Sequence, residues 1–260
     1  MKSKNLLNLY EVSMQIAKYN ANGNDFIIFH TFIEKDRSAL AQQLCHRQRG
    51  IGADGLIVLL PHTEYDFKWQ FYNSDGSVAS MCGNGTRACA HYAFTHQLAG
   101  ASMRFLTGAG VIASVVENDS VETELTTPKV LSESFEENGL TWHFCDTGVP
   151  HLVTFVDDTA CFDKMIARQM RYKYNANVNY AKLSNNALHV RTYERGVEDE
   201  TLACGTGMAA CFYSAYRQKL VGESANVYPT SGDELGLRIE DQRLFFKGRV
   251  QKVFETTLEL

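Results

Sequence analysis

Two cysteines of the chain stand in nearly the same local sequence. Aligned on Cys82 and Cys204, "CGNGTRACAHYA" and "CGTGMAACFYSA" share the pattern C-G-x-G-x-x-A-C-x-x-x-A, so that Gly83, Gly85, Ala88, Cys89 and Ala93 recur as Gly205, Gly207, Ala210, Cys211 and Ala215. Glycines at a helix start let the backbone approach a ligand closely and leave the first amide N–H groups exposed. Those donors, together with the positive end of the helix, make an anion site and favour a thiolate. The pattern therefore predicts that Cys82 and Cys204 head two helices, that their thiol pKa values fall toward the working range, and that a pseudo-twofold axis brings both to one small carboxylate ligand. Such a pair suits the inversion of a carbon next to a carboxylate. A thiolate takes the proton from one face, a thiol supplies one to the other, and the two exchange roles in the reverse direction. Amide donors aimed at the carboxylate stabilise the charge that develops once water is excluded.

Cys89 and Cys211, seven residues further on, fall two turns along the same helix faces and read as core. The chain has seven cysteines, an odd number, and no C-x-x-C pair, which points to reduced thiols, no disulfide framework and no metal site. A thiol–disulfide switch would keep its cysteines close in sequence, whereas Cys82 and Cys204 are 122 residues apart (204 − 82). A non-catalytic amino-acid-binding protein would give the thiols no task. Two motifs mislead. "GIGADG" (Gly50 to Gly55) spells a dinucleotide fingerprint but precedes a strand rather than opening a helix. "CGNGTR" places Arg87 as a phosphatase loop would, but with spacing C-x4-R, and the second copy has Ala209 there.

The elements that must position these residues are mostly short strands. Apolar or alternating runs separated by Gly, Asn, Asp and Ser occur at Asp25–Phe32, Gly55–Leu60, Phe67–Asn73, Met103–Thr107 and Gly110–Val116, then again at Thr141–Asp146, His151–Val156, Asn177–Leu183, Ala187–Glu194, Leu235–Glu240 and Arg243–Gly248. Helical patterns cover Ser38–Arg47, Cys82–His96 and Cys204–Lys219. "GNDF" begins 59 residues before Cys82 (82 − 23) and "GVPH" 56 before Cys204 (204 − 148); Asn73 and Glu194 each end a strand ahead of a cysteine. Two structural repeats account for this. The division is expected near Thr126–Ser134, giving domains 1–127 and 128–249.

A net charge of −5 and the lack of a basic block argue against nucleic acid. The longest apolar run, "GLIVLL", is far too short to span a bilayer. The first residues lack the apolar core of a secretory signal, Met14 is a candidate start with an extension ahead of it, and the expected compartment is the cytoplasm.

Taken together, "GNDF", "GIGADGL", "NSDGSVASMCGNGTR", "GVPH", "NVNYAKL" and "ERGVEDETLACGTG" resemble the diaminopimelate epimerase family, in the family's order and over most of the chain. The resemblance implies an α/β (α+β) fold of two pseudo-symmetric domains, each a curved, mainly antiparallel sheet around a central helix, with residues 250–260 returning to the first domain. It implies a cofactor-independent isomerase that converts LL-diaminopimelate to the meso form, with Cys82 and Cys204 as base and acid and no metal. Substrate contacts carried over by position are Asn24, Asn73, Gly83, Asn84, Asn179, Glu194, Arg195, Gly205 and Thr206, with His151 supporting the thiols. Arg195 suits a distal carboxylate and Glu194 an ammonium. A homodimer is suggested by the resemblance alone. Two positions depart from one version of the pattern: Gly55 stands where some members have Gln, and Val149 where some have Asn. The nearest rival, a proline- or hydroxyproline-type racemase, shares the two-cysteine logic but has no second carboxylate for Arg195.

Overall fold

The computed structural model describes residues 13–259; apart from Ser13, the expected extension ahead of Met14 lies outside the described residues. The first half runs β1 (Ser13–Ala21), β2 (Asn24–His30), α1 (Ser38–Cys45), β3 (Gly55–Leu60), β4 (Phe67–Asn73), α2 (Gly83–Thr95), β5 (Ser102–Thr107), β6 (Gly110–Glu117) and β7 (Ser120–Glu124). The second runs β8 (Lys129–Glu137), β9 (Leu140–Asp146), β10 (Pro150–Phe155), α3 (Lys164–Tyr174), β11 (Asn177–Ser184), β12 (Ala187–Glu194), β13 (Asp199–Thr201), α4 (Gly205–Arg217), β14 (Ser224–Pro229), β15 (Leu235–Glu240) and β16 (Arg243–Arg249). A last strand, β17 (Gln251–Glu259), pairs antiparallel with β1, just as β8 pairs with β9.

The two halves repeat each other strand by strand. β2 and β3 are parallel, as are β10 and β11; β4 and β5 are parallel, as are β12 and β14. The remaining pairings are antiparallel, and β7 against β16 joins the halves. A parallel neighbour demands a crossover, and a helix fills each one: α1 and α3 in the first pair of crossovers, α2 and α4 in the second. Register carries the repeat down to single residues. Phe26 lies opposite Gly55 and Gly55 opposite Asn73. His151 lies opposite Asn177, and the Val178–Tyr193 pair sets Asn177 against Glu194. Phe26, Gly55 and Asn73 are thus the counterparts of His151, Asn177 and Glu194.

Each sheet curls around its central helix. Ala88, Cys89, Tyr92 and Ala93 of α2 pack with Tyr19, Phe26, Ile57 and Phe105, while Met208, Cys211, Phe212 and Ala215 of α4 pack with Val153, Leu188, Val227 and Phe246. Outer layers under α1 and α3 cover the other faces. This explains the unbroken apolar run of β3: Ile57 and Leu59 face α2, Leu56 and Val58 face α1, and a strand covered on both sides has no polar face. Cys89 and Cys211 are fully buried in the cores.

The helices expected after Cys82 and Cys204 form, and α1 ends two residues early, at Cys45. There the carbonyls of Leu44 and Cys45 leave the helical direction to accept from Ile51, Gly52 and Ala53. α3 was not foreseen. Only Ala167 and Met170 of its eleven residues are buried, so the apolar stripe is thin, and its ends are set instead by Asp163, which accepts from Met165 and Ile166, and by Asn175 in the left-handed region. β8 overlaps the polar stretch near which the division is expected, and its residues are largely exposed; the Asn138-Gly139 turn, with φ of 55° and 73°, is the hairpin signal that fixes it. No helix among the described residues is long and apolar enough to cross a membrane.

Candidate active site

Cys82 and Cys204 occupy the position just before α2 and α4, with extended backbone (φ −153° and −123°) that lets the following residues turn into helix. The Cys82 sulfur accepts from the Gly85 amide at 3.4 Å. Cys204 makes no such cap; its sulfur lies 3.6 Å from Thr206 Oγ1. Both helix starts rest on one ring. A methyl group on Gly83 would meet Phe246 at 3.7 Å, and one on Gly205 would meet it at 3.4 Å. The two ends therefore lie side by side under a cleft of about 340 Å³ lined by both cysteines. Larger grooves exist, one of about 660 Å³, but neither thiol lines it.

Ten of the twelve residues singled out from the sequence line this cleft: Asn24, Asn73, Cys82, Gly83 and Asn84 from the first half, Glu194, Arg195, Cys204, Gly205 and Thr206 from the second. Their side chains are held by polar contacts. Asn84 Nδ2 donates to Asn24 Oδ1 at 2.7 Å, and Asn24 Nδ2 to Asp54 Oδ2 at 2.9 Å. Asn73 donates to Ser77 Oγ. Thr201 donates to Glu194 at 2.8 Å, and Arg195 donates to the Asn175 carbonyl.

Asn179 and His151 do not reach the cleft. Asn179 is fully buried behind the start of α4, where its Oδ1 accepts from Thr192 at 2.9 Å and its Nδ2 lies 3.1 Å from His151 Nδ1. The His151 ring, also fully buried, is enclosed by the amides of Asn177 and Asn179 and contacts neither sulfur. The asparagine that lines the cleft from "NVNY" is Asn177, whose Oδ1 accepts from the Arg195 backbone amide at 2.7 Å. Strand period puts Asn177 and Asn179 on one face, and only register against the cleft end of β10 separates them. Asp54, Phe26, Phe71 and Met81 also line the site and were not singled out. A methyl group on Gly55 would sit 2.6 Å from the Phe71 ring, so aromatic packing holds the space. Val149 does line the cleft, as an apolar patch.

The expected lowering of the thiol pKa values is overturned. Burial pushes Cys204 up to about 12, reinforced by Glu194 and opposed by Thr206 and the Gly207 amide. It raises Cys82 too, against the amides of Gly85 and Asn84 and the charge of Arg87. Helix-start donors help a thiolate, but here desolvation outweighs them. Burial also raises the Glu194 carboxyl.

The sequence profile of the diaminopimelate epimerase family matches residues 16–131 and 143–253. The chain is 63% identical to a diaminopimelate epimerase of Nitratiruptor over 95% of its length and 99% of that protein's. It is 55% identical to one of Campylobacter jejuni, over 93% of this chain and 98% of that one, and 42% identical to one of Helicobacter pylori, over 92% and 94%. Among solved structures it resembles a phenazine biosynthesis protein of the PhzF family from Enterococcus faecalis (TM-score 0.75, 13% identity, 96% of this chain and 100% of that one). It also resembles a hydroxyproline epimerase from Agrobacterium vitis with bound trans-4-hydroxy-L-proline (TM-score 0.70, 13% identity, 96% and 94%). At such identities these two likenesses carry the fold alone.

Proposed function

The chain belongs to the diaminopimelate epimerase family, and from that premise we propose that its cleft converts LL-diaminopimelate to the meso form by proton transfer between Cys82 and Cys204. It is a PLP-independent epimerase of lysine biosynthesis. One observation carries the assignment of the two thiols: both head a helix, and both helix starts share the floor formed by Phe246.

In this reading the reacting carboxylate lies against the first residues of both helices, Gly83 and Asn84 on one side and Gly205 and Thr206 on the other, where the helix ends stabilise negative charge. One cysteine, as thiolate, takes the α-hydrogen as a proton and becomes a thiol; the other, as thiol, delivers its proton to the opposite face and is left as the thiolate. Because burial raises both thiols, one of them must release its proton to solvent as the substrate enters and before water is excluded; the charge that then develops on the substrate is met by fixed donors rather than by water. Glu194 receives an ammonium, and Arg195 and Asn73 serve the remaining polar groups. Asn177 takes the substrate-facing role expected of Asn179; Asn179 and His151 brace the wall behind it. We also propose that the chain divides into domains at 127/128, with residues 250–260 completing the first, and that the enzyme works in the cytoplasm as a homodimer.

Incubation of the reduced protein with LL-diaminopimelate in deuterated water, followed by NMR of the α-proton, tests the activity. Deuterium is expected at the α-carbon together with meso product. Absence of both would sink the reading, and exchange with proline in their place would favour the racemase.

A further inference from the structure

Arg87 breaks the likeness of the two helix starts, since Ala209 holds its place in the second copy. Its guanidinium is fully buried, yet its partners are neutral oxygens: Nη2 donates to Asn22 Oδ1 and, at 2.7 Å, to Asn84 Oδ1, and Nη1 lies 3.4 Å from the Gly83 carbonyl. Its Nε has no partner among the described residues. A buried cation without a counter-ion costs several kcal/mol, on the order that desolvation imposes, and an apolar side chain would fill the space at lower cost.

The socket is nonetheless built for it. The Phe246 ring lies 4.1 Å from the guanidinium carbon, and a methyl group on Gly248 would come within 3.2 Å of that carbon. Both residues lie on one face of β16, which belongs to the second half, so each half contributes to holding the charge. The charged groups nearby are unequally shared. Arg87 acts on Cys82 beside Glu194, whereas the largest influences on Cys204 after burial are Glu194, Thr206, the Gly207 amide and Cys82; Asp233 is the acid that faces Arg87. The amides beyond Arg87 also run in one direction. Asn84 must turn its oxygen to Arg87, so its nitrogen faces Asn24, and the nitrogen of Asn24 faces Asp54. Reversing either amide would set like against like.

We propose that Arg87 is a positioning residue that makes the two thiols unequal: its charge beneath the start of α2 favours a thiolate on Cys82 over one on Cys204, and its bond to Asn84 fixes the order of the amides facing the cleft. The inference rests on the assignment of both cysteines to proton transfer. Its consequence is that Cys82 is the thiol that ionises first and Cys204 the one that enters the reaction as acid. Burial pulls the guanidinium down to about 9, so it remains charged at neutral pH.

The test reads each thiol without turnover. Reduced protein is treated with iodoacetamide from about pH 6 to about pH 11, modification of Cys82 and Cys204 is followed separately by peptide mass spectrometry, and a thiol whose rate is still rising at the top of the range is scored as having the higher midpoint. The midpoint of rate against pH reports thiolate formation apart from access. Cys82 is expected to ionise at least about one pH unit below Cys204, Arg87→Met to raise Cys82 by about one unit while Cys204 stays put, and Arg87→Lys to restore part of the gap. Turnover by Arg87→Met should fall about tenfold in kcat with a smaller change in KM. A Cys82 midpoint at or above that of Cys204, or an equal shift of both thiols in Arg87→Met, overturns the proposal. Should Arg87→Met not fold, the order in the unmodified protein and the Arg87→Lys profile still decide it. Loss of the diaminopimelate assignment would leave the order of the thiols untouched, whereas equal thiols in an active epimerase would remove this proposal alone.

Discussion

The walls behind the two helix starts have the same backbone and opposite chemistry. In the first half Phe26 and Phe71 face the cleft, and the Phe71 ring fills the space a larger residue at Gly55 would need. At the matching positions of the second half stand His151, Asn177 and Thr192, tied into one buried amide network with Asn179. Behind the glycine two residues past each first helical position, Ile57 in one half becomes Asn179 in the other. The difference teaches which parts the chemistry holds equal. In the proposed reaction two faces of one carbon require two thiols and two sets of amides, which is why both helix starts would keep them. The substituents around that carbon are unlike, so the walls are free to diverge, one dry and one rich in hydrogen bonds.

The sharpest way to break the comparison is to remove one thiol at a time. If both faces of the carbon need their own acid or base, Cys82→Ala and Cys204→Ala should each lower epimerisation by about 10²–10⁴-fold, the range for losing a positioned proton-transfer group. The NMR assay gives the rate, and circular dichroism checks the fold. Near-normal turnover in either variant would reduce that cysteine to packing and leave the repeat without a catalytic reason.

A smaller effect separates the walls themselves. A methyl group on Gly85 would lie 3.4 Å from Ile57 Cδ1 and 3.3 Å from Cys82 Cβ, ordinary to slightly tight contacts. On Gly207 it would fall 2.4 Å from Asn179 Oδ1, an oxygen already bonded to Thr192. Gly207→Ala should destabilise by up to about 3 kcal/mol, because a buried and bonded amide must move. Gly85→Ala should stay within about 1 kcal/mol of the parent, since a helical alanine offsets a mild contact. Urea unfolding of the two variants checks this, and equal losses would mean the polar wall is no stiffer than the apolar one.

The sequence made the functional half of this picture legible where residue type and spacing act together. The repeated cysteine before G-x-G pointed to both helices and to their shared site, and the family resemblance, position by position, supplied other residues that line the cleft. What stayed hidden depends on depth and register. Asn177 and Asn179 differ by one strand period, and no local rule says which of them lies nearer the cleft. α3 has too little buried apolar surface for its period to stand out, although a parallel pair of strands requires a crossover there. The thiol pKa values went the other way because a motif displays its donors but not how much water its surroundings remove. Arg87, read at first only against a phosphatase loop, acquires meaning from Phe246 and Gly248, more than 150 residues away in sequence (246 − 87 = 159).

The contrast of walls also sets a difference in acid tolerance. Phe26 does not titrate, but its counterpart does. Burial, then the charge of Arg195, holds the His151 imidazole down to about 3, against the hydrogen bond from Asn179. Unfolded histidine takes up its proton near pH 6.5. Below that point the unfolded chain binds a proton that the folded chain refuses, so stability present above about pH 6.5 is lost as pH falls toward 3. At pH 5.5 the loss from this residue alone is about 1.4 kcal/mol, one pH unit below the unfolded value, and it does not depend on how far below 5 the folded value lies. His151→Gln keeps a polar side chain between the two asparagines but cannot titrate. Its urea-unfolding free energy is therefore expected to change less between pH 7.5 and pH 5.5 than that of the parent, by about 1.4 kcal/mol, even if the variant is weaker at both. Parallel pH dependence in the two proteins would show that His151 is charged in the folded state, and the second wall would then have to be as open to water as its apolar counterpart is closed.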